Sequence, residues 1–575
     1  MQKLETLSRA LIEEINKGKI KNSSQLHLRK LALCGELGLE KTPSNTSIAV
    51  YAEKKDSAFR MLKRKPVRTI SGVSSIAVMT KPIACPHGTC TMCPGGPKSF
   101  FGNVPQSYTG KEPSTMRGIR LNYDSYLMTF SRLEQYVATG HNPEKVELIV
   151  MGGTFPSFPD EYKNEFIKYS FKAMNDFSEN FYEGNSLNRK KFNEFFELPR
   201  EVSDTEKSKK IQGKLLELKG ECFLEKELIK NEKAKIRNVA LCIETKPDWC
   251  KEKEINDMLS FGTTRVELGI QSIHDHVLKR INRGHSNKDS IEAIQLLKDS
   301  FLKVGFHSMI GLPEMSKEMD IEMFKEFFSN PDYMPDALKI YPTMVMPGTA
   351  LFKEWKQGKY KEISTENCIE IISEAKRFMP KWTRIMRIQR DIPTNLAEAG
   401  VNRNNLRQYV EQACKEKGIK CRCIRCRETG INKLKKSIKS INSNESEFIL
   451  EKEVYDSSKG KEIFLSFEDK KNELLAGFLR LRIPFKGFRK EITDRSAGIR
   501  ELHVYGEAVP LGEKEIQSEQ HKGYGLKLIE EAEKIASENY DAKKLLVISG
   551  IGAREYYKTK AGYIKDGPYM SKKLN

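Results

Sequence analysis

Residues 85–93 read Cys-Pro-His-Gly-Thr-Cys-Thr-Met-Cys. Three thiolates at this spacing, Cys85, Cys90 and Cys93, hold three irons of a four-iron, four-sulfur (4Fe-4S) cluster and leave the fourth iron open. The expected guest of an open iron is the amino and carboxylate ends of S-adenosylmethionine. A zinc knuckle is the plainer alternative, but a closed tetrahedron needs a fourth nitrogen or sulfur ligand. His87 stands between the first two cysteines, where a short loop makes joint chelation awkward. Pro86, Pro94, Gly95, Gly96 and Pro97 suit a loop wrapped around a larger object. A disulfide framework does not fit a long chain with no sign of secretion.

Beyond this loop, apolar runs rich in β-branched residues recur at 146–151, 239–243, 266–270, 304–310 and 337–341. Helix-length amphipathic segments such as 290–301 and 320–328 fill most of the gaps. The rhythm predicts an α/β parallel barrel, complete or partial, with its functional residues at the C-terminal ends of the strands. Those ends carry Gly152-Gly153-Thr154, Glu244-Thr245-Lys246-Pro247, Gln271-Ser272 and Gly311-Leu312-Pro313. A Gly-Gly-Thr turn exposes backbone to a close-lying polar ligand, which suits the ammonium of S-adenosylmethionine. Glu244 and Gln271 are polar groups for its ribose or carboxylate. Helix capping or surface pairing is the plain alternative for Glu244 and Glu267. Residues 179–235 are charged and interrupted, and read as a helical or loop insertion between two barrel strands.

The chain has 575 residues and a net charge of +20, enough for two to four domains. The first 82 residues carry 16 basic and 7 acidic side chains. Much of the excess, including Lys54, Lys55, Lys63, Arg64, Lys65 and Arg68, lies just before the cysteine loop. There it would hold a polyanion beside the chemistry, or form a solvated basic face. The N-terminus reads as an amphipathic helix with Leu4, Leu7, Leu11 and Ile12 on one side. Neither a signal-peptide core nor an apolar run of membrane-spanning length is present, so a soluble, cytoplasmic protein with no membrane partner is expected.

A second cysteine group, Cys421, Cys423 and Cys426, is tight enough for one small tetrahedral ion in a basic linker. A structural zinc is expected there, with Cys414 or a distant histidine as the fourth ligand. Free thiols in a basic surface strand are the alternative. Arg422, Arg425 and Arg427 interleave with the sulfurs and would offer guanidinium forks to phosphates.

The last 130 or so residues form a separate unit with antiparallel strands at 464–468, 474–482 and 499–506. Gln520-His521-Lys522-Gly523-Tyr524-Gly525 then opens a helix at 526–537. Glycines at such a turn leave amides facing an anion, and the helix dipole adds to them. This order, followed by a strand at 545–549 and by Tyr556 and Tyr557, resembles the GNAT acyltransferase fold. The resemblance implies that the Gln520–Gly525 turn binds acetyl-coenzyme A pyrophosphate and that Tyr556 or Tyr557 faces the thioester. One of these two tyrosines is expected to be a core aromatic.

Taken together, the chain resembles the catalytic subunit of Elongator and its stand-alone archaeal and bacterial relatives, which join a radical-SAM barrel to a GNAT domain. The resemblance rests on Lys65-Pro66-Val67-Arg68-Thr69-Ile70-Ser71-Gly72-Val73, the cysteine loop with Pro94-Gly95-Gly96, Arg265-Val266-Glu267-Leu268-Gly269-Ile270-Gln271-Ser272, Arg283-Gly284-His285 and the C-terminal turn. It implies four regions: a basic tRNA-binding region at 1–75, a radical-SAM partial parallel barrel at 76–395, a zinc-binding linker at 396–445 and a GNAT-type α+β domain at 446–575. The implied reaction is carboxymethylation of C5 of the wobble uridine in a tRNA anticodon stem-loop. The adenosyl radical takes hydrogen from the acetyl methyl of acetyl-coenzyme A, the carbon radical adds to the uridine, and water releases coenzyme A. The resemblance leaves open a homodimer or Elongator-like partner subunits. A protein lysine acetyltransferase and a non-catalytic tRNA-binding scaffold are the rival readings. The first leaves the cysteine loop without a role, and the intact cysteines argue against the second.

Overall fold

The computed structural model describes residues 2–52, 56–63, 69–199, 204–430, 432, 447–505 and 523–575. Its central feature is a seven-stranded sheet: β1 (Ser74–Met79), β2 (Lys145–Met151), β3 (Arg237–Thr245), β4 (Arg265–Gln271), β5 (Lys303–Ile310), β6 (Ala337–Pro342) and β7 (Arg384–Ile388). The strands lie side by side in chain order and every neighbouring pair is parallel. The sheet is therefore an open, partial barrel. Hydrophobic periodicity finds its five central strands. It misses the edges, because β7 (Arg-Ile-Met-Arg-Ile) carries two arginines in five residues and β1 opens on two serines.

Helices pack on the outer face of the sheet. Helix α1 (Gln2–Asn16) and helix α2 (Ser23–Glu36) form an N-terminal unit with a core of its own, in which Leu7, Leu11, Ile12 and Leu26 are buried. Between β2 and β3 the chain forms α3 (Asp160–Phe181) and then the insertion, which is three further helices and a two-stranded turn. Phe192 and Phe196 anchor the insertion by packing their rings on Phe177 and Phe181 of α3. The crossover helices α4 (Asn287–Asp299) and α5 (Lys317–Ser329) follow β4 and β5, each started by a serine whose side chain accepts an amide of the first turn.

The segment carrying the second cysteine group is not a coreless linker. Helix α6 (Leu406–Glu416) buries Leu406 and Val410 in the barrel's hydrophobic core, and Cys423 is fully buried there too. The apolar spacing of this helix, masked in the sequence by the charges around it, anchors the segment without help from a metal.

The C-terminal unit is a second, mixed sheet. Strands β8 (Ile449–Ser457), β9 (Gly460–Asp469), β10 (Leu474–Ile483) and β11 (Ser496–Val504) are antiparallel; helix α7 (Tyr524–Tyr540) leads to β12 (Lys544–Val547), which pairs parallel with β11. Helix α8 (Arg554–Ala561), β13 (Ile564–Asp566) and β14 (Tyr569–Lys573) complete it. Parallel pairing holds from Ser496↔Lys544 to Ile499↔Val547, after which β11 runs on to Val504 without β12. The two strands thus splay apart. The unit caps the N-terminal ends of the barrel strands: Gly550 lies so close to the Val239 backbone that a Cβ would collide with it, and Lys303 at the start of β5 pairs with Glu501 of β11. No helix among the described residues is long and apolar enough to cross a membrane.

Candidate active site

At the opposite, C-terminal mouth of the barrel lies a pocket lined by Cys85, Cys90, Cys93, Thr154, Glu244 and Gln271, among others. The cysteine loop leaves β1 and folds back over this mouth. Its middle is held by backbone bonds from Thr91 to Ile281 and from Leu351 to Thr91, at 3.0 and 2.9 Å. The Cys85 sulfur lies 3.7 Å from the Thr154 hydroxyl, and Cys93 accepts the Ser107 amide at 3.3 Å. Burial pushes the Cys93 thiol up to about 11. Among the described residues, two sets of His, Cys, Asp and Glu bring all their ligand atoms within 4.8 Å of one another, and the loop cysteines are not one of them. The wider spread suits a multi-iron cluster rather than a single ion. His87 Nε2 lies 3.3 Å from the Cys90 sulfur, but among the described residues His87 and the loop cysteines do not close into one compact ligand group, so no single-ion site is completed there. Burial, with Lys246 and Arg283 nearby, lowers the His87 pKa to about 4 and keeps the ring neutral.

The turn after β2 leaves room where a ligand must come close. Gly152 and Gly153 adopt φ of +117° and +93°, and a Cβ on Gly152 would collide with the Thr80 hydroxyl. Gln271 ends β4 at φ +68°, and its Oε1 is buried in the pocket wall without a hydrogen-bond partner. An orphaned buried amide oxygen on a strained residue fits a site awaiting a donor, such as a ribose hydroxyl or an ammonium.

Beneath the pocket the barrel interior is ionic. Lys339 of β6 reaches Glu244 of β3 at 2.8 Å and also pairs with Glu267 of β4, whose other neighbours include His307 of β5 at 2.9 Å. Burial alone would raise the Glu267 pKa, yet Lys339 and Arg265 hold it well below the usual carboxylate range. Glu244, Glu267 and His307 are the second of the two close-set groups. The Lys339 ammonium already supplies the cation there, so a metal is not called for. Tyr108 bears on the same group, its hydroxyl 3.5 Å from Glu244. Glu244 is therefore neither a helix cap nor a surface partner, and its carboxylate is already engaged from below. Residues 65–73 contribute Thr69, which hydrogen-bonds His141 at 2.9 Å behind the sheet.

In the C-terminal unit, Gly523 caps α7 at φ +74°, and a Cβ on Gly525 would stand 2.8 Å from the Tyr556 hydroxyl. Tyr556 is 38% exposed, whereas Tyr557 is 7% exposed and packs on Tyr563 in the core. The structure thus separates two tyrosines that adjacency in sequence leaves equivalent. Tyr524 buries its ring against Phe467, leaving its backbone rather than its side chain at the turn. Gln520 lies outside the described residues, as do Lys54, Lys55, Arg64, Lys65 and Arg68. Lys63 is half-buried at the end of a short helix, Ser57–Leu62.

Cys421, Cys423 and Cys426 form the other close-set group, with 3.6 Å between the Cys423 and Cys426 sulfurs. The three thiols hydrogen-bond one another, which holds Cys423 below its ordinary pKa while Cys421 and Cys426 are pushed up. Cys414 does not join the group, and among the described residues no fourth ligand does. Arg422 is exposed and Arg425 half-buried. Arg427 is spent inside the protein: it pairs with Glu468 at 2.8 Å and donates to two backbone carbonyls.

Comparison with known proteins decides the family. The chain is 49% identical over 536 residues to the tRNA uridine(34) acetyltransferase of Methanocaldococcus infernus, covering 92% of each chain. It is 48% identical over 572 residues to that of Methanocaldococcus jannaschii, covering 98% of this chain and 96% of the relative. Human Elongator complex protein 3 is 39% identical over 573 residues, covering 98% and 95%. The chain belongs to the Elp3 family. A solved structure, the archaeal Methanocaldococcus infernus Elp3 lacking residues 1–46, superposes with a TM-score of 0.70 at 45% identity, over 88% of this chain and all of that one.

The ELP3 N-terminal domain matches residues 4–70, which takes in the α1–α2 unit. The Radical SAM superfamily matches residues 215–327 and the Radical SAM C-terminal domain residues 335–416. The superfamily match thus begins inside the Elp3 insertion, well past the cysteine loop. Sequence reasoning assigned no chemistry to Tyr108, Arg283, His307 or Lys339. Arg283 at least stands in the Arg-Gly-His run; the others carry no local signal.

Proposed function

We propose that this Elp3-family chain is a tRNA carboxymethyluridine synthase, which carboxymethylates C5 of the wobble uridine using S-adenosylmethionine and acetyl-coenzyme A. The observation that carries this reading is the pairing, in one rigidly joined molecule, of a three-cysteine pocket with a splayed acyltransferase-type sheet. The names of the relatives support the tRNA substrate.

Cys85, Cys90 and Cys93 would hold a 4Fe-4S cluster, with Gly152, Gly153, Thr154 and Gln271 around S-adenosylmethionine. When bound, these cofactors supply a carbon-centred radical, which an acetyl methyl C–H requires because no side chain can usefully deprotonate it. Thr154 steadies the loop through Cys85, and Glu244, held by Lys339 from below, offers a fixed carboxylate to a hydroxyl at the pocket floor. Under that floor Glu267 is buried and paired with Lys339 and Arg265, which fixes the charges beneath the reacting atoms. In the second unit, the amides at Gly523–Gly525 receive the pyrophosphate of acetyl-coenzyme A and Tyr556 stands by the acyl chain. Tyr557 has a packing role. We further propose a zinc ion on Cys421, Cys423 and Cys426, binding of the anticodon stem-loop by Lys63, Arg422 and Arg425, and a cytoplasmic site of action. The chain would work as a homodimer or with partner subunits.

The test is anaerobic incubation with tRNA and both cofactors, followed by mass spectrometry of anticodon nucleosides. Carboxymethyluridine at the wobble position, formed together with 5′-deoxyadenosine and lost in Cys90→Ala, is the expected result. Acetylation of a basic peptide without deoxyadenosine would favour a lysine acetyltransferase, and tRNA binding without either product a scaffold.

A further inference from the structure

Arg283 stands in the pocket wall between a strand and the cysteine loop. Its Nη2 and Nε donate to the Gly269 carbonyl of β4 at 2.6 and 3.2 Å, and its Nη1 lies 3.7 Å from the Cys90 sulfur. Gly269 makes this possible, since a Cβ there would collide with Nη2. The segment around Arg283 is stitched to the loop on both sides of Cys90. Asn282 Nδ2 donates to the Thr89 carbonyl at 3.0 Å, and the Thr91 amide donates to the Ile281 carbonyl at 3.0 Å. Gly284, at φ +76°, packs directly on His87, where a Cβ would not fit.

The charge of Arg283 is not cancelled. Among the described residues no carboxylate pairs with it, whereas the neighbouring Lys246 is paired with Asp248 at 3.2 Å. Its guanidinium is held by a carbonyl and pointed at a sulfur. Cys85 and Cys93, by contrast, have uncharged donors, the Thr154 hydroxyl and the Ser107 amide.

We infer that Arg283 is a positioning residue for the cluster, which orients the Cys90 thiolate and raises the cluster's reduction potential. The inference rests on the cluster reading above. Reduction adds negative charge to a cluster and its thiolates, and a nearby cation with an N–H aimed at sulfur stabilises the reduced form more than the oxidised one. Arg283 is half-buried in the pocket wall, so water screens the interaction less than at the open surface. Electron uptake is what starts the chemistry of the pocket, so a higher potential makes the resting cluster easier to charge.

The experiment compares wild type, Arg283→Met, Arg283→Lys and Asn282→Ala after anaerobic reconstitution, reading iron content and the midpoint potential by redox titration followed with electron paramagnetic resonance. Arg283→Met should keep its iron and shift to a more negative potential. Arg283→Lys should fall between it and wild type, and Asn282→Ala should match wild type. An iron-replete Arg283→Met with an unchanged potential overturns the inference. So does the same shift in Asn282→Ala, which would trace the effect to loop placement, or loss of iron in both Arg283 variants. A wild type that takes up no iron overturns the cluster reading itself.

Discussion

Arg500 of the C-terminal sheet and Asp336 at the foot of barrel strand β6 form a two-pronged ion pair, Nη1 to Oδ2 and Nη2 to Oδ1, each at 2.7 Å, with neither side chain exposed. The pair is one link in a buried lattice. Glu462 is shared by Arg500 and Arg482, Arg482 reaches Asp299 at the end of α4, and Arg480 joins Glu501. Buried charges that are all partnered contribute modest net stability, but they tolerate one geometry, so the lattice holds the two units in a single relative position.

Breaking that pair should be costly. Arg500→Met leaves Asp336 and Glu462 each short of a partner where water cannot replace it, and the expected loss is about 3–5 kcal/mol. Denaturant unfolding of the full chain reads it out, and a midpoint equal to that of wild type would mean that water reaches these carboxylates after all.

At the acyl site, Gly525→Asp should abolish acetyl-coenzyme A binding, because it sets a carboxylate against the pyrophosphate and drives Tyr556 from its place, 2.8 Å from the new Cβ. Tyr556→Phe should preserve the melting temperature and reduce turnover of acetyl-coenzyme A. Tyr557→Ala, a core truncation, should destabilise by roughly 3–5 kcal/mol. Calorimetry and thermal melts distinguish the three, and full acetyl-coenzyme A affinity in Gly525→Asp would move the donor site elsewhere.

Asp320 sets a pH dependence. Burial pushes its carboxyl up to about 7, against the opposing pull of the Gly311 amide it accepts at 2.9 Å. The folded chain keeps a proton that the unfolded chain releases from about pH 4, so this group lowers stability progressively as pH rises towards 7 and the penalty is complete above it. Asp320→Asn removes the penalty and can still accept the amide. Its melting temperature, relative to wild type, should therefore rise between pH 5 and pH 8. A constant difference across that range would show that Asp320 titrates normally.

For tRNA, a Lys63→Ala/Arg422→Ala/Arg425→Ala variant should bind more weakly and less salt-dependently. The slope of log affinity against log salt should flatten by roughly 0.7 to 0.9 for each phosphate that is no longer neutralised. Identical slopes for variant and wild type would place the tRNA path away from these side chains.

Some of this was legible in the chain itself. Cysteine spacing is a covalent constraint on what a loop can chelate, and the five central strands announce themselves by the β-branched and aliphatic residues that they bury in the hydrophobic core, even though their other positions carry charges. The Gly-Gly-Thr and Gly-x-Gly turns are local too, each set by backbone that only glycine adopts easily. These features depend on residues within about one turn or strand of each other.

What the tertiary structure decided lies between distant residues. Lys339 meets Glu244 across 95 positions, Arg500 meets Asp336 across 164, and Arg283 reaches Cys90 across 193. In each case the packing of segments distant in sequence, not local pattern, brings charge to charge or charge to sulfur. The choice between Tyr556 and Tyr557 has the same origin, since adjacent residues on α8 differ only in which neighbour the helix faces. Composition sees a lysine or an arginine as a solvated charge. Only the packed sheet, by excluding water and fixing the partner, turns it into part of a site.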